Sequence, residues 1–139
     1  MSNLSFEQAV DDMQAMVLAA WNPTGHKVFW EAVEDDREVD DTAWLVSTIR
    51  HVTGRQETLG GVGNRAFQRT GIIFLQIFTR VGNGLHESYQ LAKVMADGFE
   101  GKSSPNGVWF RNLRINEAGK DGAFSQTNVT VEFQYNEVK

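Results

Sequence analysis

Near the start of the chain, apolar residues recur at helical spacing. Phe6, Val10, Met13, Val17 and Trp21 fall on one stripe with polar residues between them. Ser5 and Gln8 form a capping box ahead of this stripe, each side chain able to satisfy a free backbone N–H at a helix start. Asn22-Pro23 ends the helix, because proline disfavours the helical conformation in the residue before it and donates no hydrogen bond. The pattern then changes. KVFWEAV reads as a short strand, EDDREVDD as a polar loop, and TAWLVSTIRHV as a strand rich in β-branched and aromatic residues. IIFLQIFTRV is apolar on both alternating faces, with Ile73, Leu75 and Ile77 on one and Ile72, Phe74 and Phe78 on the other. That pattern predicts a central strand covered on at least part of each side.

A second helix is predicted from Leu85 to about Asp97, with Leu85, Tyr89, Ala92 and Ala96 along one edge of its apolar stripe, Met95 and Phe99 beside them, and Gly98 as its C-cap. VWFRNLRI and TNVTVEFQY follow as strands joined through AGKDG, whose Asp-Gly is a hairpin signal. In the last strand Val129, Val131, Phe133 and Tyr135 face one way, and Asn128, Thr130, Glu132 and Gln134 the other. Together these elements predict a single domain over 1–139 of the α+β class: two helices packed on a four- to five-stranded, mostly antiparallel sheet.

One stretch fits none of these elements. GRQETLGGVGNRAFQRTG lies between two strands, so the chain at about 53–71 reads as a long Gly/Arg-rich hairpin arm, far beyond the usual two to five residues of a hairpin loop. Its middle, Gly61 to Ala66, spells a dinucleotide fingerprint. That chemistry requires a helix after the glycines, whose N-terminus faces the pyrophosphate, and here a strand follows. The arm is read instead as a contact element: Gly60, Gly61 and Gly63 keep it adaptable, and Arg55, Arg65 and Arg69 give it positive charge.

Composition narrows the function classes. The 139 residues carry a net charge of −5, which argues against a general nucleic-acid binder, and no cysteine, which excludes disulfides and thiolate metal sites. MSNLSFEQAVDDM has neither the basic nor the apolar region of a secretory leader, and no apolar run is long enough to span a bilayer, so a soluble protein made in a cytoplasm is expected. His26, His51 and His86 are scattered and no nucleophile motif is present, so no catalytic residue, cofactor or metal site is assigned. Trp21, Trp30, Trp44 and Trp109 are expected in the core or at an interface. Residues 31–41 hold seven acids, Asp35 and Asp36 among them, against Arg37. The spacing lacks the marks of a calcium loop, so a solvated loop is the preferred reading over a metal site. Between Arg50 and Arg69, four arginines face one acid, Glu57. An acidic loop and a basic arm on one small domain suit head-to-tail contact between identical copies, which closes into a ring when the rotation allows.

Several segments together carry a family resemblance: the arm entering its strand, VGNGLHESYQLAKVMADGFEG as the following helix, and GVWFRNLRINEAGKDGAFSQTNVTVEFQYNEV to the end. They resemble a family of small bacteriophage proteins related to the tail terminators of phages with long, non-contractile tails. The likeness is strongest from Gly54 onward; the N-terminal third matches in layout, and the acidic run has no counterpart pattern. The resemblance implies a non-enzymatic virion protein, assembled in the host cytoplasm and found at the head-proximal end of the tail. It implies a homohexameric ring on the tail tube that stops tube growth and meets the head–tail connector, with DNA only passing through its pore and no membrane involved. Arg55, Arg65 and Arg69 are then expected to contact a neighbouring subunit or the tube, with Asp35 and Asp36 among the candidate partners. A neck or tail-completion ring protein, and a small-molecule-binding domain using the Gly-rich loop, are the two other readings.

Overall fold

The computed structural model describes residues 5–30, 43–56, 66–80, 84–105, 107–121 and 124–138. Helix α1 runs Phe6–Trp21 and opens on the predicted capping box: Ser5 Oγ accepts from the Gln8 N–H at 3.3 Å and Gln8 Oε1 accepts from the Ser5 N–H at 3.1 Å. A 3₁₀ turn over Asn22–Thr24 follows, and Gly25 takes φ +75°, a left-handed conformation open to glycine at no steric cost. The remaining elements are β1 (Lys27–Trp30), β2 (Trp44–Gln56), β3 (Ala66–Arg80), α2 (Gly84–Phe99), β4 (Trp109–Asp121) and β5 (Phe124–Val138).

The five strands form one sheet in the order β1-β2-β3-β5-β4. β1 pairs with β2 in parallel, and every other pairing is antiparallel. The class is the predicted α+β, but the strands extend further than the hydrophobic pattern indicates. β2 and β3 pair from Trp44↔Phe78 out to Gln56↔Phe67, which takes both ends of the predicted arm into the sheet; its remainder, 57–65, lies outside the described residues. β4 and β5 likewise stay paired through Lys120↔Ser125 and Asp121↔Phe124. Ladder hydrogen bonds and half-exposed β-branched residues hold these polar ends in strand where apolar alternation has stopped.

Both helices lie on one face of the sheet. That face presents Leu45 and Ile49 of β2, Ile73, Leu75 and Ile77 of β3, and Val129, Val131, Phe133 and Tyr135 of β5. Met13, Val17 and Trp21 of α1, with Leu91, Met95 and Phe99 of α2, close over it. Val28 and Trp30 of β1 pack at its margin. β3 is thus central, as expected: among the described residues the helices cover one side, and on the other Ile72 and Phe78 are half-buried while Phe74 is 37% exposed. Two further corrections concern α2. Gly98 does not cap the helix; it lies inside it, where an added Cβ would come within 2.7 Å of Ala20 Cβ, so the glycine lets α1 and α2 approach closely. The left-handed residue after the helix is Gly101, at φ +67°. Tyr89, predicted in the apolar stripe, sits exposed at its edge, with its hydroxyl donating to Glu117.

Three register shifts interrupt the ladders, one of them between Glu117 and Gly119 near the end of β4. Register shifts between His51 and Thr53, leaving Val52 unpaired and exposed, and between Arg111 and Arg114, where Asn112 adopts φ +52°. Asparagine tolerates this left-handed conformation better than most side chains. Opposite the first bulge, Gly71 is required by close approach: a Cβ there would meet Phe133 Cζ at 2.5 Å and would also strike the Arg50 carbonyl oxygen. Gly71→Ala is therefore expected to lose about 1–3 kcal/mol of stability by overpacking, read from urea denaturation midpoints. Gly54→Ala should lose clearly less, because the nearest atoms in its way belong to the flexible Arg69 side chain and not to backbone.

Candidate functional site

Arg69, Gly71, Ile73, Leu75 and Ile77 share the helix-facing side of β3, so alternation points Arg69 towards the N-terminus of α1 and not out along the arm. Its Nη2 meets Glu137 Oε1 at 3.1 Å, and its guanidinium carbon lies 5.5 Å from the Phe67 ring centre. The other Glu137 oxygen, Oε2, accepts from the Phe6 N–H at 3.2 Å. That N–H is among the free donors at the positive end of α1, a favourable place for a carboxylate. One carboxylate thus ties together the base of the β2–β3 ladder, the last strand and the first helix.

His51 lies beside this clasp, on the inward side of β2. Its Nε2 is 2.8 Å from the Tyr135 hydroxyl. Its ring packs against Phe6 with centroids 4.3 Å apart, and edge-on to Phe133 and Tyr135 at 5.0 and 5.7 Å. Burial, and then the nearby Arg69 charge, push the His51 pKa below its ordinary 6.5, against an opposing pull from Glu137. Burial first, then the Glu137 carboxylate, push the Tyr135 phenol up from 10.0 to about 12. Around neutral pH both rings are therefore uncharged, and a proton is shared between them by a neutral hydrogen bond. A recess of about 460 Å³ opens beside them, between Phe6 and Glu7 of α1 and Val52 to Gly54 of β2. A second, about 700 Å³ in volume, lies between His26 and the Glu87, Lys93 and Asp97 side of α2.

Among the described residues, no helix lies on the opposite face of the sheet. Registers place Trp44, Val46, Thr48 and Arg50 of β2 on it, with Ile72, Phe74, Gln76 and Phe78 of β3. Thr130 and Glu132 of β5 and Arg111 and Arg114 of β4 extend the same face. At one end Trp44 stacks on Phe78 at 4.9 Å and meets Phe124 edge-on at 4.5 Å. Gln126 donates to Asn128 at 2.8 Å along the same side of β5. At the β4 edge Trp109 is 67% exposed. Of the other tryptophans, Trp21 is in the core, Trp30 packs at its margin and Trp44 is half-buried.

Of the residues singled out in the sequence, the structure brings Arg69 into the clasp. Arg55 pairs through its backbone with Gln68 of β3, and its side chain is outside the described residues. Gly60, Gly61, Gly63, Arg65, Asp35 and Asp36 also lie outside them. The segment after the glycines, from Ala66, is strand β3. Among the described residues no group of three histidine, aspartate or glutamate side chains gathers to hold a metal, and no helix is long and apolar enough to cross a membrane. Sequence reasoning passed over His51, Tyr135 and Glu137. Their signal was present in the alternation: His51 continues the inward series Leu45, Ser47, Ile49, and Tyr135 and Glu137 continue Val129, Val131, Phe133.

No protein-family model and no curated protein matches the sequence. A solved structure whose title states no function is similar in fold, with a TM-score of 0.65 at 12% identity over 89% of this chain and 93% of that one. At that identity the likeness concerns the fold alone.

The neutral His51–Tyr135 pair sets the pH response of stability. The folded-state pKa of His51 is depressed, so its contribution is complete above the unfolded value of 6.5 and is lost as pH falls towards the folded value. Tyr135 has the opposite sign: its contribution is complete below pH 10.0 and is lost as pH rises through about 12. Urea midpoints should fall below pH 6.5 in the wild type and show a flatter acid limb in His51→Gln. Breaking the clasp with Glu137→Gln should destabilise by about 1–3 kcal/mol, since Arg69 and the α1 N-terminus lose a charged acceptor; thermal melts at neutral pH give the comparison.

Proposed function

We propose that this chain is a structural, non-enzymatic ring subunit of a phage tail, of the tail-terminator kind. On this reading it assembles as a homohexamer on the tube end in the host cytoplasm, stops addition of tube subunits and presents a joining surface to the head connector. The observation that carries the reading is the one-sided cover of the sheet. Two helices bury one face, while among the described residues no helix lies on the five-stranded face that bears Trp44, Phe74, Phe78, Arg111 and Arg114. Aromatics and arginines with few acids are the residue types that protein interfaces favour. The segment resemblance from Gly54 onward supports the choice of family.

Electrostatics supports the same assignment. A net charge of −5 suits a pore through which DNA passes without being gripped. The arm residues Arg55 and Arg65, with Gly60, Gly61 and Gly63, are proposed to contact a neighbouring subunit or the tube, with Asp35 and Asp36 as the acidic counterpart. Arg69 takes a different part, holding the arm's base to Glu137 within its own subunit.

Two measurements test this. Light scattering of the purified protein is expected to give a mass near six subunits, falling as salt rises and screens the exposed charges. Phage lacking the protein are expected to form over-long tails in electron micrographs. Tails of normal length that fail to join heads would favour a neck or tail-completion role instead. A thermal shift with nucleotides would favour the small-molecule reading.

A further inference from the structure

Charge is divided between the two layers of the molecule. On the helix-free face, the described charged side chains are Arg50, Arg111, Arg114 and Glu132: three positive and one negative, a balance of +2. The described helix side chains carry Glu7, Asp11, Asp12, Glu87 and Asp97 against Lys93: five negative and one positive, a balance of −4. α1 contributes three of those acids and contains neither lysine nor arginine.

The positive charges are also well placed. Arg50, Ile72, Glu132 and Arg111 form one cross-strand row, and Thr48, Phe74, Thr130 and Arg114 the next. Phe74 is therefore an exposed aromatic on the central strand, with arginines towards both sides of the sheet. On α1, Glu7, Asp11, Ala15 and Ala19 are exposed and recur every four residues, which makes a ridge that is acidic at one end and flat at the other. Small side chains let an opposing surface approach closely, and the acids stand between about one and three helical turns from the alanines.

We propose that the helix-free sheet face of one copy docks on the exposed ridge of α1 of a second copy, with Phe74 against Ala15 and Ala19 and with Arg111 and Arg114 towards Asp11 and Glu7. The inference rests on the reading of the chain as a self-assembling subunit and names the surfaces that meet. The contact is heterologous: each copy offers its sheet to one neighbour and its helix to the other, which is the arrangement a ring requires. Opposite charges at such a contact set its orientation and its salt dependence more than its gross strength.

The test is a charge swap followed by light scattering and sedimentation on the full chain. The double variant Arg111→Gln/Arg114→Glu should weaken association by on the order of tenfold or more while leaving its circular dichroism and melting midpoint near wild type, because both side chains are exposed and glutamine sets no second carboxylate opposite Glu132. Adding Asp11→Lys to it should restore assembly in part, since the one carboxylate added to the sheet then meets one cation on the ridge. A double variant that assembles as tightly as wild type overturns the proposal and leaves the ring reading intact. So does failure of the third substitution to restore assembly. A wild type that stays monomeric at every concentration and salt overturns it as well, and the tail-length phenotype then judges the functional reading separately. A 20-nucleotide single strand, followed by fluorescence anisotropy, supplies the rival. Binding that disappears in the double variant, with subunit association unchanged, would assign this face to nucleic acid instead.

Discussion

The pairing of β3 with β5 runs from Ala66↔Val138 to Arg80↔Phe124 without a break, and every other element takes its place from that ladder. Side chains alternate along a strand, so a slip of one residue would exchange the two faces of β3. Hydrophobicity does little to prevent this, because Ile72, Phe74 and Phe78 are nearly as apolar as Ile73, Leu75 and Ile77. What distinguishes the faces is fit and charge. Gly71 leaves the space that the Phe133 ring fills, and Arg69 meets Glu137 only in this register. Two specific contacts at one end of the ladder thus decide which of two apolar faces lies under the helices.

The same end of the ladder explains why a titratable cluster gathers there. His51 continues the inward series of β2 and lies among Phe6, Phe133 and Tyr135, just before the bulge at Val52 shifts the register. Water is partly excluded from the cluster, so the neutral forms of His51 and Tyr135 are favoured over charged ones. Glu137 keeps its charge useful by spending one oxygen on Arg69 and the other on the helix N-terminus.

Much of this was legible in the sequence wherever one period dominated. The capping box of Ser5 and Gln8, the stripe ending at Trp21 and the alternation of β5 all correspond to elements of the structure. The ends of strands were not legible. Gly54 to Gln56 and Gln68 to Thr70 are polar and glycine-bearing, and they are held by pairing with each other and with β5, a long-range effect that local pattern does not encode. Gly98 misled for a related reason: a glycine near a helix end signals a cap locally, whereas here it answers to Ala20 on another helix. Arg69 looked like one more charge on a mobile arm because the arm was read as a block. Counting in twos from Ile73 would have turned it inward.

The irregularity at Asn112 has a bearing on how an open sheet edge resists pairing with another copy. β4 is an outermost strand, and a regular one would offer a straight row of backbone donors and acceptors to any other copy's edge. The extra residue breaks that row between Arg111 and Arg114 and turns both cations to the same side, which even alternation would forbid. A strand from another molecule laid along β4 would find its hydrogen-bonding pattern out of step and two positive charges at the break. Such a rim disfavours edge-to-edge growth of the sheet from copy to copy.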